Sequence, residues 1–274
     1  MKKVAIQGEL GSNSHMAALK MLAGEPIELI SCAASVEVFE RLAGGEADVA
    51  VLPIENSLHG SVFEHYDLLL EHQVWVAAER MLHIRHNVIA APGVRLDQVR
   101  RILSHPVALS QCRRWLRNHP EIEAVAAYDT AGSVKQVMAG GLQDTAGIAP
   151  GLAAEQYGAE ILVAGVEDHV ENYTRFYLLV PGTLSAGPGA NKMSLAFSLE
   201  HRPGTLIDAL DVLRQAGVNL TKIESRPVPG RPWEYVFFVD LRFAEGLPID
   251  AVLTELGRHC VMVRELGRYR ASEA

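Results

Sequence analysis

The sequence predicts an α/β domain of two lobes followed by a smaller α+β domain. Short apolar runs that end in polar turns alternate with helix-forming segments along the first 181 residues. Two of these runs, Asp48–Pro53 and Thr145–Pro150, are similar units and indicate two lobes that face each other. A charge-free segment rich in glycine and proline follows at 182–191 and indicates a linker. Beyond it, the order of predicted elements changes to βαββαβ.

Composition narrows the class of protein. The chain has 274 residues, of which 49% are hydrophobic and 21% charged, which is typical of a globular protein with a substantial core. A net charge of -8 argues against a nucleic-acid or membrane-surface partner. Three cysteines far apart in the chain suggest neither a disulfide framework nor a zinc cluster. No run approaches the ~20 apolar residues that span a bilayer, so the sequence predicts a cytoplasmic protein without metal or other cofactor.

The first lobe begins with a strand, a polar turn and a helix. Its first elements are predicted as strand Val4–Ile6, a helix from about His15 to Leu22 capped by Ser12 or Ser14, strand Ile27–Ser31 and helix Ser35–Ala43. The turn after the first strand lacks the glycine spacing of a dinucleotide-binding fingerprint. Its hydroxyls and free helix N–H groups suit a smaller anion.

The next apolar run, 47–54, is typical of a central parallel strand that Pro53 breaks. Asn56 follows it in a loop, and a helix is predicted from Gly60 through Leu70. Ligands of α/β sheets bind outside the carboxyl ends of such strands. We therefore expect a functional role for Asn56, while Glu55 fits either a site residue or a carboxylate at a helix N-terminus.

The second lobe repeats the pattern. Predicted here are strands Val99–Leu103, Ala124–Ala127 and Thr145–Ala149, one helix that carries Gln111 and Trp115, and helices Ser133–Ala139 and Leu152–Tyr157, the last capped by Gly158. Hydroxyl side chains recur at the turns that follow strands in both lobes, namely Ser12, Ser57, Ser104, Thr130 and Thr174. Each alone is more often a helix cap, but their recurrence predicts one hydroxyl-lined cleft.

The stretch 166–180 carries the most informative pair of side chains. Thr174 and Arg175 precede the apolar run Phe176–Val180, which predicts a buried strand. A threonine hydroxyl can hydrogen-bond a leaving oxygen, and an arginine can bind a carboxylate with two parallel bonds. The alternative is an edge threonine beside a surface arginine.

The C-terminal part predicts a ferredoxin-like sandwich of some eighty residues. Its elements are predicted as strand Met193–Leu199, a helix opened by Pro203-Gly204, strands Val218–Val228 and Trp233–Leu241 around a Pro229-Gly230 turn, helix Leu247–Leu256 and strand Val261–Leu266. Leu206, Leu210 and Leu213 share one face of the first helix. Such modules usually bind ligands or pair with one another.

Four blocks of the sequence follow one another in a set order: Leu52–Ser57 with Gly60–Val62, His105–Cys112, Asn172–Phe176 and Asn219–Pro227. In this order they resemble the PIENS…GSV, HPxALxQC, NxTRF and NLTxIESRP blocks of prephenate dehydratases that carry an ACT domain. Departures are Gly8–Ser14 in place of GPxGTFS, Val107 in place of a usual glutamine, and Thr205 in place of the alanine of GAL. These departures concern the shape of the substrate pocket and the affinity for an effector.

The resemblance implies a periplasmic-binding-protein-like catalytic domain at 1–181, with lobe one at about 1–78 plus 163–181 and lobe two at about 79–162. A linker at 182–191 and an ACT regulatory domain at 192–274 follow. It implies a monofunctional enzyme that converts prephenate to phenylpyruvate in L-phenylalanine biosynthesis, under allosteric control by L-phenylalanine.

Site roles also follow from the resemblance. Thr174 is expected to donate a hydrogen bond to the departing hydroxyl, helped by Asn56, with Ser104 and Gln111 as further catalytic contacts. Substrate-binding residues are expected to be Ser12, Ser57, Thr130, Arg175 and Phe176. Arg175 anchors a carboxylate or pairs with Glu167 or Asp168, and the second option is favoured, because a cation against the departing carboxylate would stabilise the ground state.

L-Phenylalanine is expected to bind between two subunits, which makes the protein a homodimer or a homotetramer. The expected effector-binding residues are Gly204, Thr205, Leu206, Asn219, Leu220, Glu224, Ser225, Arg226 and Pro227. The alternative for this module is a purely structural role in dimerisation.

Alternatives for the whole protein are an arogenate dehydratase, which acts on the amino counterpart of prephenate, and a non-catalytic sensor of amino acids or other solutes. A metal site is not expected, because the close pairs His59/His65 and His83/His86 make no HExxH-type set and the cysteines do not support them.

Overall fold

A computed structural model describes residues 1–184, 187, 189–228, 230–231 and 233–272. Residues 185, 186 and 188 of the expected linker, and Pro229 of the expected turn, lie outside the described residues. The chain forms two compact units, the first from residues 1–68 and 80–178, the second from 69–79 and the described residues from 179 onward. The domain boundaries expected from the sequence stay a prediction. None of the helices in the described part of the chain is long and apolar enough to cross a membrane.

The first elements are strands of one sheet and the helices between them. They are β1 (Lys2–Gln7), α1 (Asn13–Met21), β2 (Ile27–Cys32), α2 (Ser35–Ala43), β3 (Val49–Asn56), β4 (Gly60–Ser61), α3 (Phe63–Glu71) and β5 (Val74–His83). Both β2 and β3 pair with β1 in parallel. Helix α2 shows why the sequence specifies these elements. Its buried Val38, Phe39 and Leu42 recur at helical spacing, and burying each contributes roughly 1.5–3 kcal/mol.

A second sheet follows in the first unit. Its elements are β6 (Asn87–Ala90), a 3₁₀ turn (Leu96–Gln98), β7 (Arg101–Ser104), α4 (Pro106–Ser110), α5 (Arg113–Arg117), β8 (Glu123–Ala126), α6 (Thr130–Ala139), β9 (Thr145–Ala149), α7 (Gly151–Tyr157) and β10 (Glu160–Ala164). The strands lie in the order β10-β6-β9-β7-β8. Gly158 ends α7 in the left-handed conformation, as predicted.

Strand β11 (Tyr173–Pro181) then returns the chain to the first sheet, whose order is β2-β1-β3-β11-β5 with β4 paired to β3. This order brings the end of β3, with Asn56, beside the start of β11, with Thr174. Thr174 and Arg175 are therefore part of the strand itself, close to its first residue.

Three predictions about local structure were wrong. Strand β3 is not broken at Pro53 but continues to Asn56. The pairing of β3 with β1 ends at Val51. Pro53 lies beyond it, so its missing N–H removes no hydrogen bond between these two strands. The segment from Gly60 begins as β4, paired antiparallel to β3, and α3 starts only at Phe63. The expected single helix around Gln111 is two short helices, α4 and α5, with Gln111 as the C-cap of α4.

The second unit contains the predicted βαββαβ order. Its elements are β12 (Lys192–Ser198), α8 (Thr205–Gln215), β13 (Asn219–Pro227), β14 (Tyr235–Arg242), α9 (Ile249–Gly257) and β15 (Met262–Tyr269). The sheet is antiparallel in the order β13-β14-β12-β15, and Phe197, Leu213 and Leu241 lie in the core that it shares with both helices. Residues 69–79 join this unit through the buried ion pair of Lys192 with Glu79, at 2.7 Å.

Candidate active site

A cleft of about 380 Å³ in the first unit is lined by residues from both sheets and the helices that follow their strands. Of the site residues predicted from the sequence, six line it: Ser12, Asn56, Gln111, Thr130, Thr174 and Phe176. The sequence thus located much of the cleft, although the six residues come from distant parts of the chain.

Asn56 has a side chain whose orientation is fixed by the backbone. Its Oδ1 accepts hydrogen bonds from the backbone N–H groups of Leu58 and His59, both at 3.0 Å. The Nδ2 group must therefore be the donor side. It donates to Thr174 Oγ1 at 2.9 Å and to Asn172 Oδ1 at 2.8 Å.

Gln111 and Asn172 extend the same network behind Asn56. Asn172 is 0% exposed, and its Nδ2 donates to Gln111 Oε1 at 3.0 Å. The Nε2 group of Gln111 in turn donates to Asn56 Oδ1 at 3.4 Å. Every amide in the network thus has a defined direction, and Gln111 supports Asn56 as well as lining the cleft.

The network determines which way the Thr174 hydroxyl can act. Because Thr174 Oγ1 accepts from Asn56, its own hydrogen stays available for donation. Thr174 lies in the cleft lining and is 9% exposed. The arrangement therefore presents a hydrogen-bond donor to a ligand in a largely desolvated site, where such a bond is stronger than in water.

His86 is a buried residue of the cleft lining, and the sequence analysis considered it only as half of a rejected metal pair. Its Nε2 lies 2.7 Å from Gln111 Oε1. Since that oxygen is an acceptor, Nε2 carries the hydrogen. Burial lowers the pKa of the imidazole, although the bond with Gln111 opposes this shift. His86 is therefore a neutral ring that holds Gln111 in place.

Arg175 has a different partner from the one expected. Its Nη2 lies 2.9 Å from Glu55 Oε2, and the guanidinium stacks over the ring of Tyr177. Pairing with Glu167 or Asp168 was wrong: these carboxylates accept backbone N–H bonds from His86 and from the start of α5, respectively. Glu55 and Arg175 lie on the neighbouring strands β3 and β11, which explains their pairing and gives Glu55 its role.

Ser104 and Ser57, like Arg175, are predicted contacts that are not among the described lining residues of the cleft. Ser104 is 0% exposed, and its hydroxyl donates to the Ile148 carbonyl at 2.6 Å. Ser57 Oγ accepts from the Tyr173 N–H at 2.9 Å. Both hydroxyls join backbone segments, Ser104 joining β7 to β9 and Ser57 joining the end of β3 to β11.

Helices α1 and α6 begin at the cleft. Ser12 is the N-cap of α1 and accepts from the His15 N–H at 3.3 Å, which decides between the two serines considered. The N-cap of α6 is Asp129, which accepts from the Gly132 N–H at 2.7 Å, and Thr130 is the first helical residue. Burial raises the pKa of the Asp129 carboxyl. Helix N-termini with hydroxyls are suited to carboxylate groups.

Glu9, in the first turn of the chain, is hydrogen-bonded to residues of the second sheet's part of the cleft. Glu9 accepts from the Tyr128 hydroxyl at 2.8 Å and from Lys135 Nζ at 2.9 Å. Burial alone would raise the pKa of the Glu9 carboxyl, but the bonds from Lys135 and Tyr128 lower it. A Cβ on Gly11 would lie 2.8 Å from the Cα of Ala153, so only glycine permits this approach.

The second unit has a cavity of its own, about 370 Å³, at the start of α8. Of the expected effector residues, Thr205 and Leu206 line it, together with Trp233 and Tyr235. Thr205 Oγ1 donates to the Glu200 and Arg202 carbonyls, at 3.1 Å each, so its hydroxyl is used within the protein. Gly204 caps α8 in the left-handed conformation. The other expected effector residues, Asn219, Leu220, Glu224, Ser225, Arg226 and Pro227, lie on the edge strand β13.

Comparisons with known proteins agree with this architecture. The prephenate dehydratase family model matches residues 4–182, and the ACT domain model matches residues 193–250. A relative from Arabidopsis thaliana, arogenate dehydratase/prephenate dehydratase 2, is 38% identical over 283 residues, which cover 97% of this chain and 72% of the relative.

Two solved structures share the fold. Prephenate dehydratase from Arthrobacter aurescens, in complex with L-Phe, has a TM-score of 0.88 and 32% identity, covering 98% of this chain and 90% of that chain. GqqA, described as a novel type of quorum quenching acylase, has a TM-score of 0.90 and 32% identity, covering 99% of this chain and 98% of that chain. The chain belongs to the prephenate dehydratase family and carries an ACT domain after the dehydratase region. The fold class predicted from the sequence is confirmed.

Proposed function

We propose that this protein is a prephenate dehydratase, a carbon–oxygen lyase that converts prephenate to phenylpyruvate, carbon dioxide and water. The observation that carries the proposal is the Thr174 hydroxyl, which Asn56 holds as a donor towards the cleft. Family membership supports the reaction class.

In the proposed reaction, the ring carboxylate leaves as carbon dioxide and its bonding electrons move into the ring. The hydroxyl on the opposite ring carbon leaves with the electrons of its own bond and takes up a proton to become water. Thr174 donates a hydrogen bond to that oxygen. A threonine is a poor acid, so the benefit comes from a bond that strengthens as negative charge develops on the leaving oxygen.

Substrate carboxylates are proposed to bind Ser12 and Thr130 at the N-termini of α1 and α6. No lysine or arginine is found among the described lining residues. A pocket of hydroxyls and N–H groups binds a carboxylate less tightly than a cation would, which suits a group that must depart. Phe176 contributes an apolar surface that excludes water from the ring.

The other predicted site residues are proposed to act by positioning. Gln111 holds Asn56, Ser104 and Ser57 join the backbone segments around the cleft, and Arg175 pairs with Glu55.

The experiment that tests this proposal is turnover of prephenate by Thr174→Val and Thr174→Ser. Removal of the hydroxyl is expected to lower kcat roughly 10²–10³-fold, while Thr174→Ser keeps the donor and much of the activity. Thr254→Val is the matched control, because that hydroxyl bonds within α9, outside the cleft. Near-normal turnover by a folded Thr174→Val protein would show the assignment to be wrong. Hydrolysis of an N-acyl amide by the wild type, without turnover of prephenate or arogenate, would overturn the proposed reaction.

L-Phenylalanine is the proposed effector, at the cavity beside Thr205 and Leu206. The related enzyme from A. aurescens is described in complex with L-Phe, which supports this choice. Binding to the folded state should raise Tm as phenylalanine is added, and light scattering should give a dimer or tetramer. A Tm unchanged by millimolar phenylalanine would contradict effector binding. A cytoplasmic location stays a prediction from the sequence.

Arogenate is the second candidate substrate. The Arabidopsis relative is named for both activities, and the cleft of this chain contains a carboxylate, Asp129. An acidic contact is what the amino group of arogenate requires and the keto group of prephenate does not.

A further inference from the structure

His59 lies in the turn between β3 and β4 and is exposed. It stands between the two parts of the first family block, Leu52–Ser57 and Gly60–Val62, and belongs to neither. Its ring reaches α4, where it contacts the side chains of Ser110 and Gln111. An exposed, titratable side chain thus touches the amide network of the cleft from outside the described lining.

The hydrogen bonds around His59 determine which ring nitrogen carries the hydrogen. Gln111 Oε1 accepts from Asn172 and His86, so the Nε2 group of Gln111 is its donor side. This group donates to His59 Nδ1 at 3.0 Å, and Nδ1 therefore carries no hydrogen. The hydrogen is on Nε2 of the ring, which donates to Ser110 Oγ at 3.0 Å. Ser110 in turn donates to a backbone carbonyl of α4 at 2.7 Å.

His59 holds both of the amides that lead to Thr174. Its backbone N–H donates to Asn56 Oδ1 at 3.0 Å, while its ring accepts from Gln111. The same Gln111 group also donates to Asn56 Oδ1, at 3.4 Å. Asn56 donates to Thr174 Oγ1. The ring of His59 is therefore joined to the Thr174 hydroxyl through two amides whose directions are both determined.

We propose that His59 is a positioning residue for the Thr174 hydroxyl, and that it serves this role only while its ring is neutral. A proton added at Nδ1 would place an N–H group 3.0 Å from the Gln111 Nε2 group, with a donor facing a donor. The Gln111 amide would have to turn, and its Oε1 would leave the donors of Asn172 and His86. This proposal rests on the proposed dehydratase function and adds control of the same site by pH.

Both side chains that His59 contacts on α4 are uncharged. The titratable groups on the elements around this contact have partners of their own. They are His86, bonded to the same glutamine, His105, which caps α4, Asp168 with Arg114, and Glu55 with Arg175. The donor group of the glutamine is therefore the group that a proton on His59 opposes.

The kinetic test is the pH dependence of kcat for prephenate in wild type, His59→Asn and His59→Leu. Histidine changes its charge in mild acid, so wild-type kcat should fall about threefold or more from about pH 7.5 to about pH 5.5. Asparagine offers an acceptor oxygen that does not titrate, so His59→Asn should keep most of the kcat at the higher pH and lose this fall. His59→Leu has no acceptor, and its kcat should be about three- to tenfold lower at both pH values, with a smaller change in KM. An equal fall in wild type and His59→Asn overturns the proposal.

Two matched substitutions identify the histidine responsible. His169 is an exposed histidine of the same unit, outside the described lining of the cleft, and His169→Asn should show the wild-type pH profile. His105 caps α4 by accepting from a backbone N–H, and asparagine is a good N-cap, so His105→Asn should also keep the fall in mild acid. Loss of that fall in His105→Asn, with its retention in His59→Asn, would assign the effect to the cap of α4 and overturn the role of His59.

Spectra of the side-chain amides separate this proposal from the proposed reaction. In ¹⁵N-labelled protein without substrate, the Gln111 amide signals are assigned by their absence in Gln111→Leu. They should shift between about pH 7.5 and about pH 5.5 in the wild type and stay in place in His59→Asn. This result supports the role of His59 even if the protein turns over a different substrate. Signals that stay fixed in the wild type, or that move equally in both proteins, overturn it even if prephenate is turned over.

Discussion

Asn56→Asp reverses the direction of the hydrogen bond on which the proposed chemistry depends. The substitution keeps the shape of the side chain and replaces the Nδ2 donor by an acceptor oxygen. That oxygen would face Thr174 Oγ1 and Asn172 Oδ1, which stand 2.9 and 2.8 Å from Nδ2. The Thr174 hydroxyl would then donate to residue 56, and its hydrogen would no longer reach a ligand.

The expected magnitudes follow from these two contacts. Loss of one oriented donor to a developing charge lowers kcat roughly 10²–10³-fold. Asn172 Oδ1 would lose its donor within a buried site, which costs about 1–3 kcal/mol of the free energy of unfolding. KM should change much less than kcat, because the donor acts mainly in the transition state.

Steady-state turnover and urea unfolding measure the two effects separately. Asn118→Asp is the matched control, an exposed asparagine at the C-cap of α5. If Asn56→Asp turns over within threefold of wild type and unfolds at the same urea concentration, the direction assigned to the network is wrong.

Two further predictions concern pH and closure of the cleft. Burial lowers the folded-state pKa of His65 and of His86, so the unfolded chain binds more protons below about pH 6.5. The free energy of unfolding should therefore fall as pH decreases from 7.5 to 5.5, and urea unfolding that shows a constant or rising value would contradict this. Glu9→Gln removes a charge that Tyr128 and Lys135 hold, and KM should rise about two- to fivefold, less at high salt. The rise in KM is tested by measuring KM at two ionic strengths. The control is Glu25→Gln, which removes a surface carboxylate paired with Lys2. An equal KM in both variants would rule out a role for Glu9 in closing the cleft.

Local sequence patterns predicted most helices and strands closely. Helix α2 and strand β9 begin and end at the residues expected, because apolar spacing and terminal glycine or proline residues are local signals. The errors at Pro53 and Gly60 have one cause. Whether a short polar segment becomes a strand depends on a neighbouring strand, and the chain around it does not reveal that neighbour.

The cleft could be predicted in outline for a similar reason. Polar residues at the ends of strands meet at one edge of a sheet. Asn56 at the end of β3, Thr174 at the start of β11 and Thr130 after β8 were therefore located from their own segments. The sequence could not separate Ser104, buried against a carbonyl, from Ser12, which lines the cleft. Both have the same local signature, a hydroxyl at a turn after a strand.

The sequence by itself determined the elements, the family and the residues near the chemistry. Tertiary structure alone decided which partners those residues meet. Asn56 meets Asn172 and Thr174 across 116 and 118 residues of chain. Arg175 pairs with Glu55 rather than with Glu167, which lies closer to it in the sequence. Hydrogen bonds and ion pairs have directions and partners that arise only when distant strands pair. The direction of the hydrogen bond from Asn56 to Thr174 and the place of Asp129 in the cleft lining are therefore properties of the fold and cannot be read from either segment alone.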